Sequence, residues 1–92
     1  MTTYYDRRGN PITMEQWAAT FGDNTVIRTT VGASDVSTVW LGINHQWGEG
    51  PPLIFETMVF GGSLNEECVR YSTESEALVG HAAMVARVQA TS

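Results

Sequence analysis

The run from Thr38 to Gly62, TVWLGINHQWGEGPPLIFETMVFGG, constrains the fold more than any other part of the chain. Two strand-like segments lie on either side of a link that neither can extend. Each segment carries β-branched or aromatic residues at alternate positions, while Gly48, Gly50, Pro51 and Pro52 break any ladder drawn through them. The pattern is that of a β-hairpin with an aromatic tip, Trp47. It speaks to architecture rather than to chemistry, since no nucleophile with a nearby base, no metal-spaced cluster and no phosphate-binding loop accompanies it.

Ninety-two residues suffice for one small domain, 1–92, with a single core. A 42% hydrophobic, 16% charged composition is that of a folding chain rather than a disordered one. The net charge of -5 and the scatter of the five arginines, Arg7, Arg8, Arg28, Arg70 and Arg87, argue against a nucleic-acid partner. Every basic residue is arginine and none is lysine, as expected of a GC-rich genome. Cys68, the one cysteine, has no internal partner, so the fold does not depend on an oxidising compartment. No apolar stretch approaches the roughly 18 residues of a membrane span, and the N-terminus lacks the apolar region of an export signal. A cytoplasmic protein without membrane attachment is the expectation.

Residues 1 to 12 read as a short extended lead-in turning through Asp6, Arg7, Arg8, Gly9, Asn10 and Pro11. Thr13 and Gln16 have the spacing of a capping box and start a first helix of about two turns. Met14, Trp17, Ala18 and Phe21 form its apolar face, and Gly22 stands where a C′ glycine would. Strands are expected over Thr25 to Val31, Val36 to Asn44, Leu53 to Phe60 and Cys68 to Ser72, with Gly32 to Asp35 as a four-residue hairpin loop. In the second strand Val39, Leu41 and Ile43 oppose Thr38, Trp40, Gly42 and Asn44, and one of these faces is core. The third carries large apolar groups on both faces, so both are expected to be covered. Thr73 and Glu76 repeat the capping-box spacing before a second helix reaching about Val88, with a stripe of Ala77, Leu78, His81, Met84, Val85 and Val88. Short loops exclude parallel crossovers. The expected fold is α+β: a three- to four-stranded antiparallel meander with a short N-terminal and a longer C-terminal helix.

His45, Glu49 and Glu56 are the histidine and carboxylates nearest one another in the central hairpin. A flexible glycine loop separates them, which is not metal-ligand spacing; Glu56 is expected to face water or to pair with Arg28 or Arg70 across the sheet. His81 lies on an apolar stripe and is read as a packed, hydrogen-bonded core residue. A Cys68–His81 pair would be the one route to a cysteine nucleophile, but nothing in the spacing brings them together. No catalytic residue, metal ligand or cofactor is assigned. Trp40, Ile54, Met58 and Phe60 cannot all face water without forming a patch unusual for a monomer, which suggests a homodimer or a protein partner. Trp47 lies in a loop where no core periodicity accounts for it, and is either a lid folded back onto the sheet or an exposed anchor. With Trp40, Met58 and Phe60 it makes up the candidate partner-binding residues.

Through TVWLGINHQWGEGPPLIFETMVFGG, RYSTESEALVGHAAMVARV from Arg70 to Val88, and YYDRRGNPITMEQWA from Tyr4 to Ala18, the chain resembles a family of small uncharacterised proteins of actinobacteria and their phages, mycobacteriophages especially. The resemblance covers nearly the whole chain and implies an origin rather than an activity, with no functional residues to carry over. It implies a phage- or prophage-encoded accessory protein acting in the host cytoplasm. The leading expectation is a protein-interaction domain without catalysis that binds a host protein. The alternatives are a small ligand- or metal-binding enzyme using the 45–56 loop region, and an oligomeric virion-associated component.

Overall fold

The computed structural model describes residues 3–44 and 50–91. An N-terminal hairpin of β1 (Tyr4–Tyr5) and β2 (Pro11–Ile12) leads into α1 (Met14–Thr20) and a 3-10 turn, Phe21–Asp23. Then come β3 (Thr25–Val31), β4 (Ser34–Trp40), β5 (Phe55–Phe60), β6 (Cys68–Tyr71) and α2 (Glu74–Thr91). The four longer strands form an antiparallel meander in the order β3-β4-β5-β6, so the expected α+β architecture is what is found.

Both helices start where the capping boxes place them. The Thr13 Oγ1 accepts the Gln16 amide at 3.1 Å while Gln16 Oε1 accepts the Thr13 amide at 2.9 Å. At α2, Thr73 Oγ1 and Glu76 Oε1 make the same reciprocal pair, both at 3.1 Å. Each pair satisfies donors that the first helical turn leaves without partners. The end of α1 departs from expectation: Gly22 does not take a left-handed C′ conformation, and the chain tightens instead into the 3-10 turn. Trp17 and Phe21 anchor α1, but Met14 is 60% exposed and is not part of that anchor.

Helix α2 crosses one face of the sheet. Its buried stripe is Ala77, His81, Met84 and Val88, at spacings of three and four residues that keep one side of a helix turned inward. Opposite it lie Ser34, Val36, Thr38 and Trp40 of β4 and Phe55, Thr57 and Val59 of β5, all buried. The register places Val36 beside Val59, Thr38 beside Thr57 and Trp40 beside Phe55, so these side chains form one continuous inner face. At one end Val36, Val59, Met84 and Val88 cluster; at the other Trp40, Ile54, Phe55 and Ala77 do, closed over by Tyr5, Ile12, Trp17 and Phe21.

Several expectations are corrected here. Leu78 does not join the core: at 46% exposure it sits on the flank of α2 because the inward line runs through Ala77 and His81. Strand β4 ends at Trp40 instead of Asn44, since the Leu41 and Gly42 amides both turn to Ile54 O (2.7 and 3.3 Å) and Gly42 takes a positive φ of 72°. A side chain there would collide with the Trp17 and Trp40 rings, so this glycine permits both the turn and the close approach of two indoles. The loop between β3 and β4 has two residues rather than four. Val31 and Ser34 pair directly, and Gly32, with φ of 57°, takes the first turn position as in a type II′ hairpin. The lead-in is itself a small hairpin, held to the main body by Tyr5 N to Gly42 O (2.8 Å) and a bridge between Tyr4 and Ile43.

Candidate functional site

The sheet is buried on one face only. Side chains of β3 to β6 that point away from α2 are Arg28 and Thr30, Asp35, Ser37 and Val39, Glu56, Met58 and Phe60, and Cys68 and Arg70, by the pairing register. None of them is buried. Val39 lies diagonally across from Met58, and Met58 two residues from Phe60 along the same strand, so the three form an apolar diagonal over the middle of the face. Phe60 is 50% exposed and Met58 half-buried, with Cys68 directly opposite Met58 on β6.

Ion pairs stand on either side of this diagonal. Arg28 Nη2 donates to Asp35 Oδ2 at 2.8 Å on the β3 side, and Arg70 Nε donates to Glu56 Oε2 at 3.0 Å on the β6 side. Of the two arginines open to Glu56, Arg70 is therefore the one that pairs with it. Asp35 also accepts the Thr30 hydroxyl at 2.7 Å, and this bond, with the Arg28 guanidinium, holds its carboxyl below the usual range. Burial, with Glu56 beside it, pushes the Cys68 thiol up, which suits a packed thiol rather than a nucleophile.

The structure divides the sequence-derived candidates. Met58 and Phe60 lie together on the open face. Trp40 does not: it is 2% exposed on the opposite face, tilted against Phe21 (ring centroids 6.3 Å, interplanar angle 50°), and its indole N–H donates to Tyr5 O at 3.1 Å. Tryptophan's large apolar surface is used here inside the core and its single donor is satisfied, so Trp40 cannot serve as a contact residue. Ile54, beside it, is buried too, because β5 begins only at Phe55 and the alternation does not extend back to it. Trp47, His45 and Glu49 lie outside the described residues. Val39 and Cys68 share the open face; Cys68 lies two residues from Arg70 along β6, and Val39 would have followed had the core face of β4 been known.

His81 is 3% exposed and belongs to a polar chain in the core. Its Nε2 lies 2.9 Å from Thr29 Oγ1 and its Nδ1 2.7 Å from Thr38 Oγ1, which lies in turn 2.6 Å from Thr57 Oγ1. Both ring nitrogens are bonded to threonine hydroxyls, as suits a packed, hydrogen-bonded core residue. Burial pushes its pKa down, and among the described residues no carboxylate joins the chain to polarise the ring. Cys68 points to the other face of the sheet, so the two do not form a nucleophile–base pair. Every buried side-chain nitrogen and oxygen among the described residues has a hydrogen-bond partner.

A cleft of 490 Å³ opens between the N-terminal hairpin and α1, lined by Asp6, Arg7, Ala19, Thr20, Asp23 and Trp40. Two of its charged side chains, Asp6 and Arg7, are engaged in structure. Asp6 Oδ1 accepts the Arg8 and Asn10 amides, both at 2.9 Å, while Arg7 donates to Asp23 O at 2.8 Å and reaches Glu74 at 3.5 Å. Among the described residues no group of three or more His, Cys, Asp or Glu could hold a metal ion, and no helix is long and apolar enough to cross a membrane. No protein-family model, curated protein or solved structure matches the chain.

Proposed function

We propose that the chain is a small protein-interaction domain without catalysis of its own, contributed by an actinobacterial phage or prophage and acting on a host protein in the cytoplasm. The supporting observation is the asymmetry of the sheet: under α2 the inner side chains of the two central strands, β4 and β5, are buried, while the other face presents the Val39–Met58–Phe60 diagonal between two ion pairs. An apolar centre with a charged margin has the anatomy of a contact surface, in which the centre supplies affinity and the margin orientation. Strands carry it, so its shape is set before the partner arrives and little ordering entropy is lost on binding.

Affinity capture from an actinobacterial host lysate, with wild type and Met58→Glu as paired baits, tests this reading. A charge at a half-buried outer position should leave the fold intact and place an unpaired carboxylate at the centre of the contact. The expected outcome is a discrete host protein retained by wild type and lost by the variant, with equal melting temperatures. Equal retention by both baits would remove this face from the contact, and no retained protein would argue against the function.

A further inference from the structure

We infer that β3 is a strand-addition edge whose occupant is a second copy of this chain, the two β3 strands pairing antiparallel about a two-fold axis at Thr29. The inference stands apart from the outer-face reading, because it uses the rim of the sheet and leaves that face open.

The peptide groups fix the register. Val31 and Ser34 flank a two-residue turn, so they exchange hydrogen bonds, and by alternation so do Thr29 with Val36 and Ile27 with Thr38. The Trp40 amide, donating to Asn24 O at 2.8 Å, continues the same alternation at the far end. Arg28 and Thr30 therefore turn their N–H and C=O groups out from the rim, where no partner for them lies among the described residues. With Thr29 on the axis, Arg28 falls opposite Thr30 of the second copy and Thr30 opposite its Arg28. Both are hydrogen-bonded positions, so four new backbone bonds form from the groups that β4 leaves unused.

The side chains match in that register and in no neighbouring one, since a one-residue slip would set inner residues against outer ones. On the α2 side, Ile27, Thr29 and Val31 read apolar–polar–apolar and are their own complement. Ile27 meets Val31 of the second copy in a non-hydrogen-bonded pair, where side chains approach closest, and this covers an isoleucine now exposed at the rim. On the outer side each Arg28 lands one strand away from the Asp35 of the other copy, across Thr30. Two arginines and two aspartates then alternate in sign, so the charges on this edge do not repel a second copy.

Edge strands are ordinarily protected by lysine, proline, brevity or a covering segment. β3 has seven residues and neither lysine nor proline, and its one charge is already paired with Asp35. The irregularity between Thr25 and Ile27 limits the pairable stretch to the segment that the Thr29 register uses. The opposite rim, β6, has only four residues. The dimer is a continuous eight-stranded sheet carrying both α2 helices on one face.

Sedimentation equilibrium over a concentration series tests the proposal with wild type, Thr30→Pro, Ile27→Lys and, as a control, Phe60→Glu. Proline at Thr30 removes an outward N–H without touching the bonds to β4, and lysine at Ile27 puts a charge into the apolar pair. Wild type and Phe60→Glu should be dimers, and the two β3 variants should self-associate about tenfold more weakly or worse while keeping the wild-type circular dichroism. If Thr30→Pro fails to fold, Ile27→Lys decides. A wild-type monomer at the highest concentration, species larger than a dimer, a dimer surviving in a folded β3 variant, or one lost in Phe60→Glu would each overturn it.

Discussion

Thr38 Oγ1 lies 2.7 Å from His81 Nδ1 at the middle of the interface between α2 and the sheet, and the hydroxyl is shared with Thr57 at 2.6 Å. The two apolar clusters of the core lie at either end of the inner face, and this chain of polar contacts runs between them. Thr38→Val keeps the shape but leaves the ring nitrogen and the Thr57 hydroxyl without a partner, which should cost about 1–3 kcal/mol in urea unfolding. The triple variant Thr38→Val, Thr57→Val, His81→Leu should recover much of that loss, because the one hydroxyl that then loses its partner, that of Thr29, is only half-buried. A single variant as stable as wild type would show that the chain of contacts is not formed.

Burial holds the His81 pKa below its ordinary value of 6.5, so the unfolded chain takes up a proton at a pH where the folded one does not. The neutral ring's contribution is complete above pH 6.5 and is lost as pH falls from there toward the lowered folded value. Thermal melts should therefore show a falling melting temperature just below pH 6.5, well above the range of the lowered Asp35 carboxyl. In a His81→Gln variant this segment of the pH profile should be flat. A profile unchanged by that substitution would assign the dependence elsewhere.

Leu78 and Met84 share a helix but not an environment. Met84→Ala should destabilise by about 2–5 kcal/mol, whereas Leu78→Ala should cost less than about 1 kcal/mol, since half of that leucine already faces water. Equal costs in paired chemical denaturation would mean that α2 is rotated from the orientation described.

Gly80 sits where a methyl group would run into the Tyr71 ring of β6. Alanine is the better helix former by about 1 kcal/mol, yet Gly80→Ala should destabilise by about 1–3 kcal/mol because the ring must move. Adding Tyr71→Ala should make the glycine substitution neutral or favourable, a reversal of sign that a double-mutant cycle in thermal melts would read directly.

Local signals in the sequence were sufficient for both helices and the four meander strands, but not for the N-terminal hairpin or the 3-10 turn. Both helix starts followed from Thr13 with Gln16 and Thr73 with Glu76, because a capping box is complete within four residues. The order of strands followed from turn residues and loop lengths. Which face of β4 is buried did not, for the inner side carries Ser34 and Thr38 while the outer carries Val39. Thr38 is acceptable inside because His81 meets it from 43 residues away, a contact no local window contains, as Ser34 is because its hydroxyl donates to Gly61 O. The same blindness put Trp40 on the surface and Leu78 in the core. Of the candidate contact residues, Met58 and Phe60 were legible from alternation along one strand; Trp40 was not, because its burial depends on Phe21 and the N-terminal hairpin closing over it.

We propose the outer face of the sheet as the surface that a partner covers. Hydroxyl-radical footprinting of the protein alone and with its captured host partner tests this most directly, with Met14 as an exposed reference and Met84 as a buried one. Met58 and Phe60 should react in the free protein and become protected in the complex, while Met14 should react equally in both and Met84 in neither. Unchanged reactivity of Met58 and Phe60 in the presence of a bound partner would contradict it.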